Sequence, residues 1–234
     1  MNFDAFEVLN GHTAFNAPDD RRLDESARDY YTFVDHGFLP APLGNSDTHH
    51  LNGVHDALCR NYVYTTRAPG AAFDEAGFVA ALRKRRVVAT SGPWLDVEVA
   101  PTAEVASGAG PGQFVTAANG AVVVRITVRQ ANFMQVDRLR IWRGGPNGPE
   151  LFDERNLTGR APQLEVVVPV GGVDNWLGVD VSGETPLPVE LTGTYQLEKM
   201  RPGAVPYAII SAILVDADGN GRWQRGLANL DAAN

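Results

Sequence analysis

Ala121-Val122-Val123-Val124-Arg125-Ile126-Thr127-Val128-Arg129 decides how the larger part of this chain is built. Val122, Val124, Ile126 and Val128 alternate with Val123, Arg125, Thr127 and Arg129. A period of two is the mark of a strand that buries one face and wets the other. Working outward, further strands are predicted over 136–142, 164–169, 176–181 and 207–215. Glycine- and proline-rich connectors such as Arg143-Gly144-Gly145-Pro146-Asn147-Gly148-Pro149 separate them. Short strands between such turns predict an antiparallel β-sandwich-like domain.

Upstream of Ser91-Gly92-Pro93 the character changes to mixed strand and helix, so two parts are expected, 1–93 and 94–234, in an α+β chain. Phe3 to Leu9 is a short apolar run that Asn10-Gly11 stops, which predicts a buried strand ending in a turn. From Leu23, the residues Ala27, Tyr30 and Val34 follow helical spacing, with Asp24 and Ser26 offering N-terminal caps and Gly37 a stop. His36, beside that glycine, reads as a helix cap. A second helix is predicted from Asp74 to Arg86. Its basic end, Arg83 to Arg86, complements the dipole and is read as a solvated terminus in preference to an anion site. Between the two helices, Gly44-Asn45-Ser46-Asp47 exposes polar residues at a strand end, where function tends to sit.

Composition narrows the partners. Of 234 residues, 44% are hydrophobic and 21% charged, which suits a chain able to bury a core. The formal net charge of -8 repels nucleic acid phosphates and anionic lipid, so neither nucleic acid nor membrane is an expected partner. Cys59 is the single cysteine, which excludes an internal disulfide framework and a cysteine-rich zinc site. No segment reaches the ~20 apolar residues of a membrane span, and Met1-Asn2-Phe3-Asp4 lacks the features of a signal peptide. The start inside a strand-like segment is read as a truncation. Compartment and oligomeric state are left open. Walker, dinucleotide and Gly-x-Ser-x-Gly motifs do not occur in the chain.

In Ser46-Asp47-Thr48-His49 a carboxylate and an imidazole stand two residues apart, so on extended backbone both would face one metal ion. A hard oxygen with an imidazole nitrogen suits zinc, manganese or iron, which activate water near neutral pH. Taken alone, the same residues also fit a turn in which Asp47 caps nearby amides.

The order of Phe3-Asp4-Ala5-Phe6-Glu7-Val8-Leu9-Asn10-Gly11, a helix, and Leu43-Gly44-Asn45-Ser46-Asp47-Thr48-His49 resembles the end of the PHP (polymerase and histidinol phosphatase) catalytic barrel. The aromatic strand Asn61-Tyr62-Val63-Tyr64, a helix and the turn Thr90-Ser91-Gly92-Pro93 then follow, as in its carbaryl-hydrolase-like (CehA/McbA) branch. The likeness extends to Pro206-Tyr207-Ala208-Ile209-Ile210 and to Val215-Asp216-Ala217-Asp218-Gly219-Asn220-Gly221. It implies a partial, distorted TIM-like barrel ahead of the β-sandwich-like domain, with a multinuclear metal centre at the strand ends. Asp47 and His49 match the last ligand pair; the family's early His-x-His pair and its later His and Glu ligands have no counterpart here. The expected activity is hydrolysis of a small-molecule phosphoester, carbamate or other ester by metal-activated water, at a site incomplete in this chain. The competing expectation is a non-catalytic binding or interaction module.

Glu7 is expected either to orient a ligand, water or substrate or to serve as a structural carboxylate. His50 and Asn45 flank the Asp-x-His element and are candidates for binding an anionic or carbonyl oxygen, or are plain loop residues. Of these, Glu7 and His50 are taken as the catalytic candidates; His12 and His55 are weaker ones. Asp216-Ala217-Asp218-Gly219-Asn220-Gly221 alternates oxygen ligands as a calcium loop does, yet its twelfth position is Leu227 where that loop needs glutamate, so a glycine-rich hairpin turn is favoured. Trp94, Trp142, Trp176 and Trp223 are open to two readings, a sugar-stacking surface or packing.

Overall fold

The computed structural model describes residues 3–10, 22–47, 58–66, 68, 70–192, 204–226 and 228–231. In chain order its elements are β1 (Ala5–Asn10), α1 (Arg22–Asp35), β2 (Ala41–Asn45), β3 (Arg60–Val63), α2 (Glu75–Arg83), β4 (Val87–Thr90), β5 (Trp94–Ala100), β6 (Phe114–Thr116), β7 (Ala121–Arg129), β8 (Arg138–Gly145), β9 (Gly148–Asn156), β10 (Gln163–Pro169), β11 (Asn175–Ser182), α3 (Val189–Thr192), β12 (Tyr207–Ile210), β13 (Ile213–Asp216), β14 (Arg222–Arg225) and β15 (Ala228–Asp231). Position 93, where the sequence changes character, lies between β4 and β5, which belong to different sheets.

Three layers result, with the eight-stranded sheet in the middle. That sheet runs β3-β4-β12-β11-β13-β6, with β8 on the other edge of β11 and β9 beyond it. One face, carrying Leu139, Ile141, Leu177, Val179, Ile210 and Val215, shares a core with the three-stranded sheet β10-β7-β5, whose β7 contributes the alternating Val122, Val124, Ile126 and Val128. The opposite face, carrying Trp142, Trp176, Tyr207, Ile209 and Leu214, packs against Val8 and Leu9 of β1 and Tyr30, Tyr31 and Val34 of α1. Every position of β11, β12 and β13 is buried. Burial on both faces explains why Tyr207–Ile210 and Ile213–Val215 are unbroken apolar runs where β7 alternates.

α1 is seated by shape as much as by hydrophobicity. Tyr31 stacks on Trp176, with ring centroids 5.2 Å apart and planes 14° from parallel. Beneath the same ring lies Gly178, where a Cβ would fall 2.2 Å from Tyr31. Alongside, the Tyr30 hydroxyl accepts the Ala212 amide at 2.9 Å. That amide belongs to a break between β12 and β13. The predicted single strand over 207–215 is interrupted at Ser211-Ala212, because Asp180 pairs with Ile209 but Leu177 with Ile213, one residue out of step. The Ser211 amide goes instead to the Val87 carbonyl at 3.0 Å.

Two ionic clasps hold the helix ends. At the first, Arg140 donates Nε to Asp180 at 2.8 Å and a terminal nitrogen to Asp24 of α1 at 2.6 Å, while Trp142 Nε1 donates to the other Asp180 oxygen at 2.7 Å. Burial works against the Arg140 charge, but Asp180 and Asp24 outweigh it and hold the guanidinium protonated above its ordinary range. At the second, Asp35 accepts from Trp176 Nε1 at 3.0 Å and from Arg225 Nε at 2.8 Å. The helix stops as predicted at Gly37, which takes φ 82, and His36 Nδ1 lies 2.8 Å from the Thr32 carbonyl, in keeping with a cap. The second helix is shorter than expected. Arg85 takes φ 58, and the Arg85 and Arg86 amides return to Leu82 and Ala81, closing α2 at Arg83.

The TIM-like barrel expected of the N-terminal part does not form, and the α+β expectation is corrected to a mostly β chain with 45% of residues in strands. β1 and β2 are parallel and joined through α1, a single β-α-β unit. The next strands, β3 and β4, pair antiparallel with each other, and β4 joins β12 from the other end of the sequence. No sheet closes among the described residues. A lone β-α-β unit has the same local pattern as a piece of a barrel, and only the partners of the following strands separate the two. Among the described residues no helix is long and apolar enough to cross a membrane.

Two substitutions test this seating by urea unfolding. Gly178→Ala, which drives a methyl into the Tyr31 ring, is expected to cost about 1–3 kcal/mol or more. Asp180→Ala, which leaves Arg140 buried without its main counter-charge, is expected to cost about 3–5 kcal/mol. Losses below ~0.5 kcal/mol for both, the scale of neutral surface changes, would show that α1 is not held this way.

Candidate functional site

β1 and β2 end together, with Asn10 paired to Asn45, and in parallel β-α-β units ligand sites collect at such carboxyl ends. A bulge makes this end distinctive. Glu7 is in register with Leu43 but Leu9 with Gly44, so Val8 is an extra residue in the ladder. In a regular strand residues 7 and 10 point to opposite faces; one extra residue brings them to the same face. The result is a clasped carboxylate. Glu7 Oε1 accepts from Asn10 Nδ2 at 2.9 Å, and Oε2 accepts a short hydrogen bond from Asn45 Nδ2.

The outer edge of β2 is tied to the main sheet by a side chain. Asn61 of β3 accepts the Gly44 amide at 2.8 Å and donates to the Gly44 carbonyl at 2.9 Å, standing in for a neighbouring strand. Gly44 allows the approach, since a Cβ there would lie 3.2 Å from Leu9 Cβ and 3.4 Å from the Arg60 carbonyl. The carboxyl end is thereby fixed from both sides.

Beyond Asn45 the strand geometry ends. Asp47 takes φ 51, a left-handed conformation that aspartate tolerates, so the extended backbone assumed for Asp-x-His stops before it. His49 and His50 lie outside the described residues, as do His12 and His55. Asn45, a candidate either for binding an anionic or carbonyl oxygen or for a plain loop role, stands at the end of β2 and donates to Glu7. Asn10, read in the sequence only as a turn signal, is the participant that sequence reasoning missed. Its role follows from the Val8 bulge, which has no signature in the residue pattern.

Cys59 lies buried close to this clasp. Burial, reinforced by the negative charge of Glu7, pushes its thiol up to about 12, so it is neutral and unsuited to nucleophilic work.

A second cluster, Asp174, Asp216 and Asp218, brings its oxygens within 4.8 Å of one another. Its carboxylates are already engaged. Asp216 accepts the Gly219 and Gly221 amides at 2.8 and 3.0 Å and the Thr116 hydroxyl at 3.0 Å. Asp174 accepts the Ala217 and Gln224 amides, and Asp218 accepts from Asn220. These bonds shape the glycine-rich turn that leads from β13 to β14, although the two strands do not pair as a hairpin. Burial, together with the Asp218 and Asp216 charges, keeps Asp174 above the usual carboxylate range against its two amide bonds. Trp142, Trp176 and Trp223 are buried in the core beneath α1, and half-buried Trp94 packs edge-on to Tyr62 at 4.5 Å.

Comparison with protein-family models, with curated proteins and with solved structures returns no match for this chain.

The Cys59 thiol gives a test of the clasp's surroundings. An acid whose folded pKa is raised favours the fold while neutral; that contribution is complete below the unfolded value near 9 and is lost as pH climbs towards about 12. Relative to Cys59→Ala, the unsubstituted chain is expected to lose stability by about 1.4 kcal/mol per pH unit above pH 9. Urea unfolding at pH 8, 9 and 10 measures this, and parallel losses in the two proteins would contradict a buried thiol.

Proposed function

We propose that this chain carries part of the site of a metal-dependent hydrolase acting on small-molecule esters or phosphoesters, in the manner of the PHP-type enzymes that its Asp47–His49 segment resembles. The observation that supports the reading is the Glu7 carboxylate, clasped by Asn10 and Asn45 at the carboxyl end of a parallel strand pair, immediately ahead of Asp47.

The donor set fits a divalent transition metal. Asp47 offers a hard oxygen and His49 an imidazole, the mixture that zinc, manganese and iron accept. When bound, such a metal supplies Lewis acidity and activates water near neutral pH. Glu7 suits a different duty. Both of its oxygens already accept amide hydrogen bonds, so it orients a neighbour without entering the ligand shell. Asn10 and Asn45 position Glu7, and His50, next to the ligand pair, is assigned to a substrate oxygen. Two ligands are fewer than the roughly three that a catalytic metal needs, so Asp47 and His49 account for only part of the set.

Zinc titration with a competing chelator, backed by inductively coupled plasma mass spectrometry on the dialysed protein, tests this reading. The chain is expected to retain metal, Asp47→Ala/His49→Ala to lose it, and Glu7→Ala to weaken binding on the order of 10–100-fold, the usual effect of removing an orienting partner. Equal metal content in all three proteins, or none in any, would overturn the proposal and favour a non-catalytic binding module.

A further inference from the structure

Among the loops that join the two larger sheets lies a cleft of about 500 Å³, lined among others by Asn132, Phe133, Gln135, Thr158, Arg160 and Thr185. We infer that it is a saccharide-binding site, and that it prefers a sugar ring bearing a carboxylate.

Three connections converge to make it. Residues 130–137 link β7 to β8 and residues 157–162 link β9 to β10, each crossing from one sheet to the other, while Thr185 follows β11. Loops gathered at one end of packed sheets and held by a rigid scaffold are where binding residues concentrate. These loops are braced. The Gln130 side chain donates to the Gly159 carbonyl at 2.9 Å and accepts the Val136 amide at 2.6 Å, tying the first two loops together. Gly183 lets the third come close, since a Cβ there would fall 1.9 Å from the Gln135 carbonyl. Gly92 does the same beneath the first loop, where a Cβ would meet the Met134 methyl at 2.7 Å.

The lining chemistry selects the ligand class. Phe133 is 51% exposed, an unusual place for a phenyl ring, and offers a flat apolar face of the kind that packs on the C–H face of a sugar. Asn132 and Gln135 carry amides that donate and accept together, matching neighbouring hydroxyls, and Thr158 and Thr185 add two hydroxyls. The lining residues include no carboxylate, histidine or cysteine to activate the two hydroxyls, which favours recognition over chemistry. A volume of about 500 Å³ suits one or two sugar rings and falls within the ordinary range of ligand pockets. Arg160 has no ion-pair partner among the described residues and is exposed at the lip, which supplies the preference for a carboxylate. This inference is independent of the metal-site proposal, because none of its residues belongs to the β1–β2 end.

Saturation-transfer NMR and amide chemical-shift titrations of the full chain with glucuronate and with glucose test it. Both sugars are expected to bind, glucuronate more tightly by a factor on the order of five, as one exposed charge pair allows. Phe133→Ala, at an exposed position, is expected to abolish both while leaving the unfolding midpoint unchanged. Arg160→Gln should bring glucuronate down to the glucose level. Failure of either sugar to bind, or binding that survives Phe133→Ala, overturns the site; equal affinity of the unsubstituted chain for the two sugars overturns the acidic preference.

Discussion

Asp180 sits without solvent contact in the middle layer of this protein, and the arrangement around it fixes how the layers meet. A buried carboxylate must be paired and hydrogen-bonded to be tolerated, and Asp180 obtains Arg140 and Trp142 from the adjacent strand β8. Arg140 then reaches across to Asp24, so the charge in the sheet dictates where the first turn of α1 lies. With Asp35, Trp176 and Arg225 at the other end, the helix can dock in one register along the sheet. Specificity is the better account of such a pair than stability, since a buried ion pair commonly contributes little over a well-packed apolar replacement.

The β-α-β unit depends on that docking. β1 and β2 form a sheet of only two strands, which would be marginal alone. Val8 and Leu9 find their core in the aromatic residues beneath α1, and Asn61 completes the backbone pairing of Gly44. The clasped Glu7 therefore rests on a platform borrowed from the rest of the chain.

Much of this was legible in the residues, and the failures have physical causes. The alternation in β7 identified a half-buried strand because a sheet face in water imposes that period. Spacing and the glycine stop point to α1 and charged ends point to α2, but Asp24 and Ser26, read as caps, lie inside α1, which begins two residues earlier at Arg22. The barrel was misread because one parallel pair carries no information about the partners of the next strands. The break at Ser211-Ala212 was invisible because the Tyr30 hydroxyl that takes the amide comes from 182 residues away. Asp47 is singled out by its spacing from His49 and Glu7 by its place near a strand end, but the sharing of Glu7 between two asparagines required a bulge at Val8 that apolar patterning does not reveal.

The hydrogen bonds that tie α1 to the middle sheet and β14 span 116 to 190 residues of sequence. A helix of 14 residues is marginal by itself in water, so α1 has little reason to persist before its binding surface exists. On a ribosome extending the chain at ~5–20 residues per second, roughly 10–40 s separate the emergence of Asp35 from that of Arg225. Until then Tyr30, Tyr31 and Val34 lack the part of their cover that Trp176, Ala212 and Leu214 supply, so α1 is seated well after it is made. A topology that closes an early helix with strands made some 190 residues later incurs its loop-closure cost before the contacts are gained, which makes for slow folding.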